Sequence, residues 1–258
     1  MHIHHLNGMS FRRFHIQEIT HFLLLETPGG IILIDAGLGL ADYLHPSLVE
    51  RLARMADGAN GTMDETPVRQ VARLGLDTAK VTDVVPTHLH FDHVGGAVDF
   101  PHAFLHVWEV ELNAGLHPAG LKGLLGYFPE RWKSHPGLKV YTLGAETWFG
   151  LPAMPVIRRD DVEIWLVPLT GHCPGHCGVA IKTETGWLWH CGDAYVRQCQ
   201  VDPVNPKYAF PAIARWFEEF MFPHQSIEKI QKVLREHPEV TAICSHDPLS
   251  FADLNHPK

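Results

Sequence analysis

The stretch VVPTHLHFDHVGG, Val84 to Gly96, places three histidines and an aspartate within six positions, between an apolar run and two glycines. Imidazole nitrogens and carboxylate oxygens are ordinary ligands for zinc and related divalent ions. In an extended segment His88, His90 and Asp92 share a face, because side chains alternate. His93, where a helix is expected to start, can turn toward a second position. Four ligand-capable groups exceed what one catalytic zinc takes from a single loop, since such a site keeps a coordination position open. The pattern therefore points to two metals. The competing reading is a solvated histidine-rich turn, and the rest of the chain has to decide.

Strand patterns surround the motif. HFLLLETPGGIILIDAG, His21 to Gly37, reads as a β-hairpin turning at Thr27-Pro28-Gly29-Gly30. The histidine-bearing start, His2 to His5, alternates like a first strand, with a metal site or a tag remnant as the other readings. Residues 38–65 read as an irregular excursion. Thr66 is expected to cap a helix that has Pro67 at its first position and stops at Gly75. AFLHVWEVEL reads as a strand passing into a helix. Residues 113–160 and 196–225 read as further insertions. VEIWLVP, HCGVAIK and WLWHCGDA are three strands. FPAIARWFEEFMF and SIEKIQKVLREHPEV read as helices, the second capped by Ser226, with Ile227, Ile230, Val233 and Leu234 on its buried stripe.

A weak internal repeat links the halves. GGIILIDAG is similar to TGWLWHCGDA, and VTDVVPTH to EVTAICSH. Two such halves bring four strand ends to one edge, where open α/β sheets bind ligands.

The motif THLHFDH resembles the HxHxDH motif of the metallo-β-lactamase-fold hydrolase superfamily. LIDAG, LTGHCPGHCGVAI, GDA and CSHD resemble that family's further motifs, in order and spacing, over nearly the whole chain. The resemblance implies an α/β fold, an αβ/βα four-layer sandwich of two mixed β-sheets flanked by helices, with residues 1–258 as one domain. It implies His88, His90 and His172 on one metal, Asp92, His93 and His246 on the other, and Asp193 bridging. Zinc is the foremost metal, with iron or manganese in relatives. His176 and Asp35 are expected to be supporting groups rather than ligands. Tyr195 stands one residue short of the tyrosine that lactonases of the superfamily use, so it is either a catalytic helper or a core residue. Asp92 or Tyr195 would handle the leaving-group proton.

The expected activity is a metal-bridging hydroxide attacking a small ester, lactone or related acyl bond. Alternatives are a phosphodiesterase on the same metal pair, an iron-dependent redox enzyme, or a non-catalytic metal-binding module. Diiron relatives place a glutamate where His90 stands, which disfavours the redox reading. True β-lactamases that use a cysteine ligand carry it where Asp193 stands.

The 258 residues are 45% hydrophobic and 19% charged, a globular composition. A formal net charge of −8 with no basic stripe argues against nucleic acid as a partner. No segment approaches a membrane span. Five cysteines, an odd number and mostly late, do not suggest a disulfide framework, so a reducing cytoplasm is the default. The expected partner is a small-molecule substrate, with a homodimer left open. Cys191, and the pair Cys173 and Cys177, are expected to pack rather than ligate. Trp108, Tyr127, Phe128, Trp132, Trp148, Trp216, Phe217, Phe220 and Phe222 belong to a pocket, an interface or the core.

Overall fold

Alternation along the strands decides the layers. The computed structural model describes residues 1–13, 16–202 and 225–255. Its first sheet runs in the order β1 (His2–Arg13), β2 (Ile16–Thr27), β3 (Gly30–Ile34), β4 (Val81–Val85), β5 (Phe104–Trp108) and β6 (Leu138–Tyr141). A short two-stranded ribbon, β7 (Thr147–Trp148) with β8 (Leu151–Pro152), follows. The second sheet has the order β13 (Val240–Ile243), β12 (Trp187–His190), β11 (Cys177–Lys182), β10 (Val162–Pro168) and β9 (Met154–Arg159).

Leu23, Leu25, Ile32 and Ile34 of the first sheet pack against Ile164, Leu166, Val179 and Ile181 of the second, forming the inter-sheet core. Their neighbours Phe22, Leu24, Ile31 and Leu33 face the other way, with Val71 of the helix Pro67–Arg73. On the far side, Trp165, Ala180 and Trp189 pack against Ile227, Ile230 and Val233 of the helix Gln225–Glu236. Period-two side chains buried on both faces give helix, sheet, sheet, helix: the expected four-layer sandwich.

The repeat is visible in the pairing. β2 pairs antiparallel with β3, which runs parallel to β4. In the same way β11 pairs antiparallel with β12, which runs parallel to β13. The carboxyl ends of β3, β4, β12 and β13 carry Asp35, the histidine loop, Asp193 and His246.

Three details differ from the sequence expectations. The stretch 38–65 is not irregular, because it holds the helices Leu40–Leu44 and Leu48–Asp57. Ser47 accepts from Glu50 N while the Glu50 carboxylate accepts from Ser47 N, a capping box, and Gly58 ends the helix at φ 73°. Ser226 is not a cap: it lies inside the helix Gln225–Glu236 and donates its hydroxyl to Thr170 O. Residues 113–160 supply β6 to one sheet and β9 to the other. The expected helix FPAIARWFEEFMF, with Trp216, Phe217, Phe220 and Phe222, lies outside the described residues.

The two glycines after the motif answer to close packing. A Cβ on Gly96 would lie 2.2 Å from Ala36 O, and one on Gly95 2.7 Å from Asp42 Oδ2. Both hold the motif's short helix against the end of β3, where Ala36 N donates to His93 O and Gly96 N to Gly37 O. Gly96→Ala should destabilise the protein by about 1–3 kcal/mol, as expected for overpacking. Denaturant unfolding checks this, and an unchanged midpoint would refute the close-approach account.

Candidate metal centre

The strand β4 ends at Val85, and Pro86 and Thr87 lead into the motif. The chain bends at Thr87 and His88, His90 is extended, and a one-turn helix covers Phe91–Val94 with His90 at its N-cap. Asp92 therefore leaves the alternation expected for an extended segment and joins His93. Helical twist, not strand alternation, divides the motif into two pairs.

Two ligand-capable groups result. His88, His90 and His172 bring their donor atoms within 4.8 Å of one another, as do Asp92, His93 and His246. His172 Nε2 lies 2.9 Å from His90 Nδ1. His246 Nε2 is 3.1 Å from Asp193 Oδ2 and 3.8 Å from Asp92 Oδ2. His93 Nε2 is 3.4 Å from Asp92 Oδ2 and 3.3 Å from Asp193 Oδ1. Asp193 also lies 3.5 Å from His172 Nε2, so it stands between the groups. All seven residues named from the sequence are brought together.

The donor set fits divalent cations. Nε2 of His88, Nε2 of His93 and Oδ1 of Asp193 are buried without a hydrogen-bond partner among the described residues. Native interiors seldom tolerate such orphans, and a bound ion satisfies them. Burial, with His93, His90 and His172 adding to it, holds His88 well below the ordinary imidazole value. Burial likewise lowers His172 well below that value and His90 to about 4. These rings are neutral, as metal ligation requires. Burial would raise both carboxylates, but His93 and His246 overcome it, holding Asp92 at about 2 and Asp193 well below the usual range.

A supporting shell orients these groups. Asp35 sits at φ 58°, and its carboxylate accepts from Thr87 N at 2.6 Å, from Thr87 Oγ1 at 3.1 Å and from His93 Nδ1 at 2.8 Å. With Nδ1 of His93 donating to Asp35, its Nε2 faces Asp92 and Asp193. Burial would lower the ring, but their charges raise it well above the ordinary imidazole value; a cation bound there would displace the Nε2 proton. His246 Nδ1 donates to Ile19 O at 2.7 Å, leaving its Nε2 toward Asp193. His176 Nδ1 donates to Leu169 O, while its Nε2 accepts from Asp193 N at 2.9 Å. Asp35 and His176 thus take the supporting places expected of them.

Sequence reasoning missed Glu111. Its carboxylate is buried and accepts from Leu89 N at 2.8 Å, Tyr127 OH at 3.0 Å, Gly175 N at 3.1 Å and Cys173 Sγ at 3.2 Å. It ties the His88–His90 segment to the turn after His172. The only signal in the sequence is a glutamate on the apolar side of VWEVELNAG.

The structure places other candidates elsewhere. Tyr195 is fully buried in the second sheet's outer core, and its hydroxyl donates to Gln198 Oε1 at 3.2 Å. Cys191 packs in the same core, and burial raises its thiol well above the usual value. The Tyr127 ring stands edge-on to His90 at 4.6 Å, while Trp132 and Trp148 are core residues.

Comparison with known proteins places these features in context. The model of the metallo-beta-lactamase superfamily matches residues 17–186. A probable metallo-hydrolase of Mycobacterium tuberculosis is 32% identical over 252 residues, covering 95% of this chain and 80% of the relative. The N-acyl homoserine lactonase AttM of Rhizobium radiobacter is 24% identical over 242 residues, covering 90% and 83%. The solved structure of an N-acyl homoserine lactone hydrolase, with the product N-hexanoyl-L-homoserine at its catalytic metal centre, superposes with a TM-score of 0.70. At 20% identity, over 97% of this chain and 95% of that one, this last likeness is one of fold.

Proposed function

Because the chain belongs to the metallo-beta-lactamase superfamily, we propose that it is a dinuclear, zinc-dependent hydrolase of lactones and related small esters. The observation that carries this reading is the convergence of seven ligand-capable groups with buried, orphaned donor atoms. His88, His90 and His172 would hold one cation and Asp92, His93 and His246 the other, with Asp193 shared. Two divalent ions there supply Lewis acidity for a carbonyl oxygen and bring a water's pKa to about 7.

The chain's own residues do the rest. Asp35, Ile19 O and Leu169 O fix the tautomers of His93, His246 and His176. Asp92 has the more exposed of the two carboxylates, with 13% of its side chain accessible against 5% for Asp193. We assign it the transfer of a proton to the leaving oxygen; held at about 2, it would relay that proton rather than store it. Tyr195, turned into the core, receives no step. The lactonase relatives support a lactone as substrate. One domain over residues 1–258 fits the site, since both sheets contribute strand ends to it. A cytoplasmic setting fits the four buried free thiols Cys173, Cys177, Cys191 and Cys244. No described helix is long and apolar enough to cross a membrane.

The test is metal analysis followed by a panel of lactones, aryl esters and phosphodiesters. Two equivalents of zinc at the seven-residue cluster, over and above any bound elsewhere, and lactone turnover are expected, with His90→Ala combined with Asp92→Ala removing both. Full metal occupancy with turnover of phosphodiesters alone would move the assignment to that class. Stoichiometric iron with visible absorbance would move it to redox chemistry.

A further inference from the structure

The register of the first hairpin builds a second cluster of donors well away from the seven groups. In β1, His2 and His4 are two residues apart and so share a face. His2 pairs directly with Glu26 of β2, which brings that carboxylate to the same face. The His2 and His4 rings stand edge to face, with centroids 4.3 Å apart. His4 Nε2 lies 2.6 Å from Glu26 Oε1. The donor atoms of all three lie within 4.8 Å of one another.

From this geometry we infer that His2, His4 and Glu26 form an accessory site for a zinc-class divalent cation. Two imidazoles and a carboxylate are a characteristic donor set for that ion. Three protein ligands leave coordination open to water, as befits a surface site in which His2 is exposed and His4 and Glu26 are partly buried. The antiparallel ladder holds the donors in register before any ion arrives, and two come from a single strand, so little chain entropy is lost on binding. The His4–Glu26 contact alone is an ordinary pair. The second imidazole converts it into a three-donor set, and no hydrogen bond to the His2 ring is present among the described residues.

The site is separate from the catalytic cluster. β2 meets that cluster at Thr20, whose hydroxyl lies 3.5 Å from Asp92 Oδ2. Glu26 is six residues further along the strand, about 20 Å away at the usual rise. β1 is the edge strand of its sheet, so a cation here joins the edge to its neighbour. The accessory site does not depend on what the catalytic cluster hydrolyses.

The experiment is a zinc titration of the full-length, chelator-stripped protein by calorimetry. The double variant His2→Ala with His4→Ala should bind one equivalent fewer than the parent and keep its lactone hydrolysis. Glu26→Gln should weaken the same binding step. Replacing two exposed histidines elsewhere, His102→Ala with His117→Ala, should lose no equivalent. Identical isotherms for the parent and the His2, His4 variant would overturn the proposal. So would loss of the same equivalent in the His102, His117 control.

Discussion

Asp193→Asn should lower lactone turnover by about 10³-fold or more and, in the His2→Ala, His4→Ala background, cut bound zinc from two equivalents to one or fewer. Asp193 is the carboxylate in contact with both halves of the cluster. Its carboxylate lies 3.1 Å from His246, 3.3 Å from His93 and 3.5 Å from His172. An amide keeps the shape but removes the negative charge and one of the two acceptor oxygens. Several kcal/mol of charge stabilisation depend on a held metal, and each 1.36 kcal/mol is tenfold in rate, so the loss reaches about three decades. The backbone should survive, because Asp193 N still donates to His176 Nε2. Metal analysis and steady-state kinetics on the same preparation check the result. A variant holding two zinc ions in that background and turning over within tenfold of the parent would show that Asp193 is no bridge.

The residues that were legible share a physical reason. The motif at 88–93 and the similarity of β3–β4 to β12–β13 are local patterns, read from composition and alternation within a dozen residues. Asp35, Asp193 and His246 were legible because each ends such a strand. The capping box from Ser47 to Glu50 is also local, but Gly58 and Gly61 within the same stretch make 38–65 read as an irregular excursion. Ser226 was misread as a cap because a serine before an apolar stripe looks the same whether it begins a helix or lies in its first turn. Its partner, Thr170 O, is 56 positions away. The division of the motif between two metal groups came from the family likeness. Strand alternation alone would have left Asp92 beside His88 and His90, because the turn of helix at Phe91–Val94 is too short to show a period. Glu111 was illegible for a further reason: three of its four donors, at Leu89, Cys173 and Gly175, lie 22 to 64 positions away, and only the fold assembles them.

Glu111 also makes the second large prediction. Glu111→Gln should weaken the cation held by His88, His90 and His172 by about 10- to 100-fold, the usual cost of losing an orienting partner. The Asp92, His93 and His246 side should stay intact. One carboxylate oxygen holds Leu89 N, between the two histidines, together with the Tyr127 hydroxyl. The other holds Gly175 N and Cys173 Sγ, beside His172. An amide can accept at one end only, and its NH₂ would face a backbone N–H, which can only donate, at the other. Whichever way it turns, one of the two segments is released. Tyr127 adds a second link, because its backbone bridges to His90 and its ring stands against that imidazole. Glu111→Ala should go further and cost about 3 kcal/mol or more of stability, since four buried donors lose their acceptor at about 1–3 kcal/mol each before relaxation. Glu111→Gln separates positioning from folding. If Glu111 only stabilises the fold, both zinc affinities should fall together or neither should change, and the unfolding midpoint should move alone. If it positions the three-histidine half, one zinc should titrate weakly while the other keeps its parent affinity, and turnover should recover as zinc is raised.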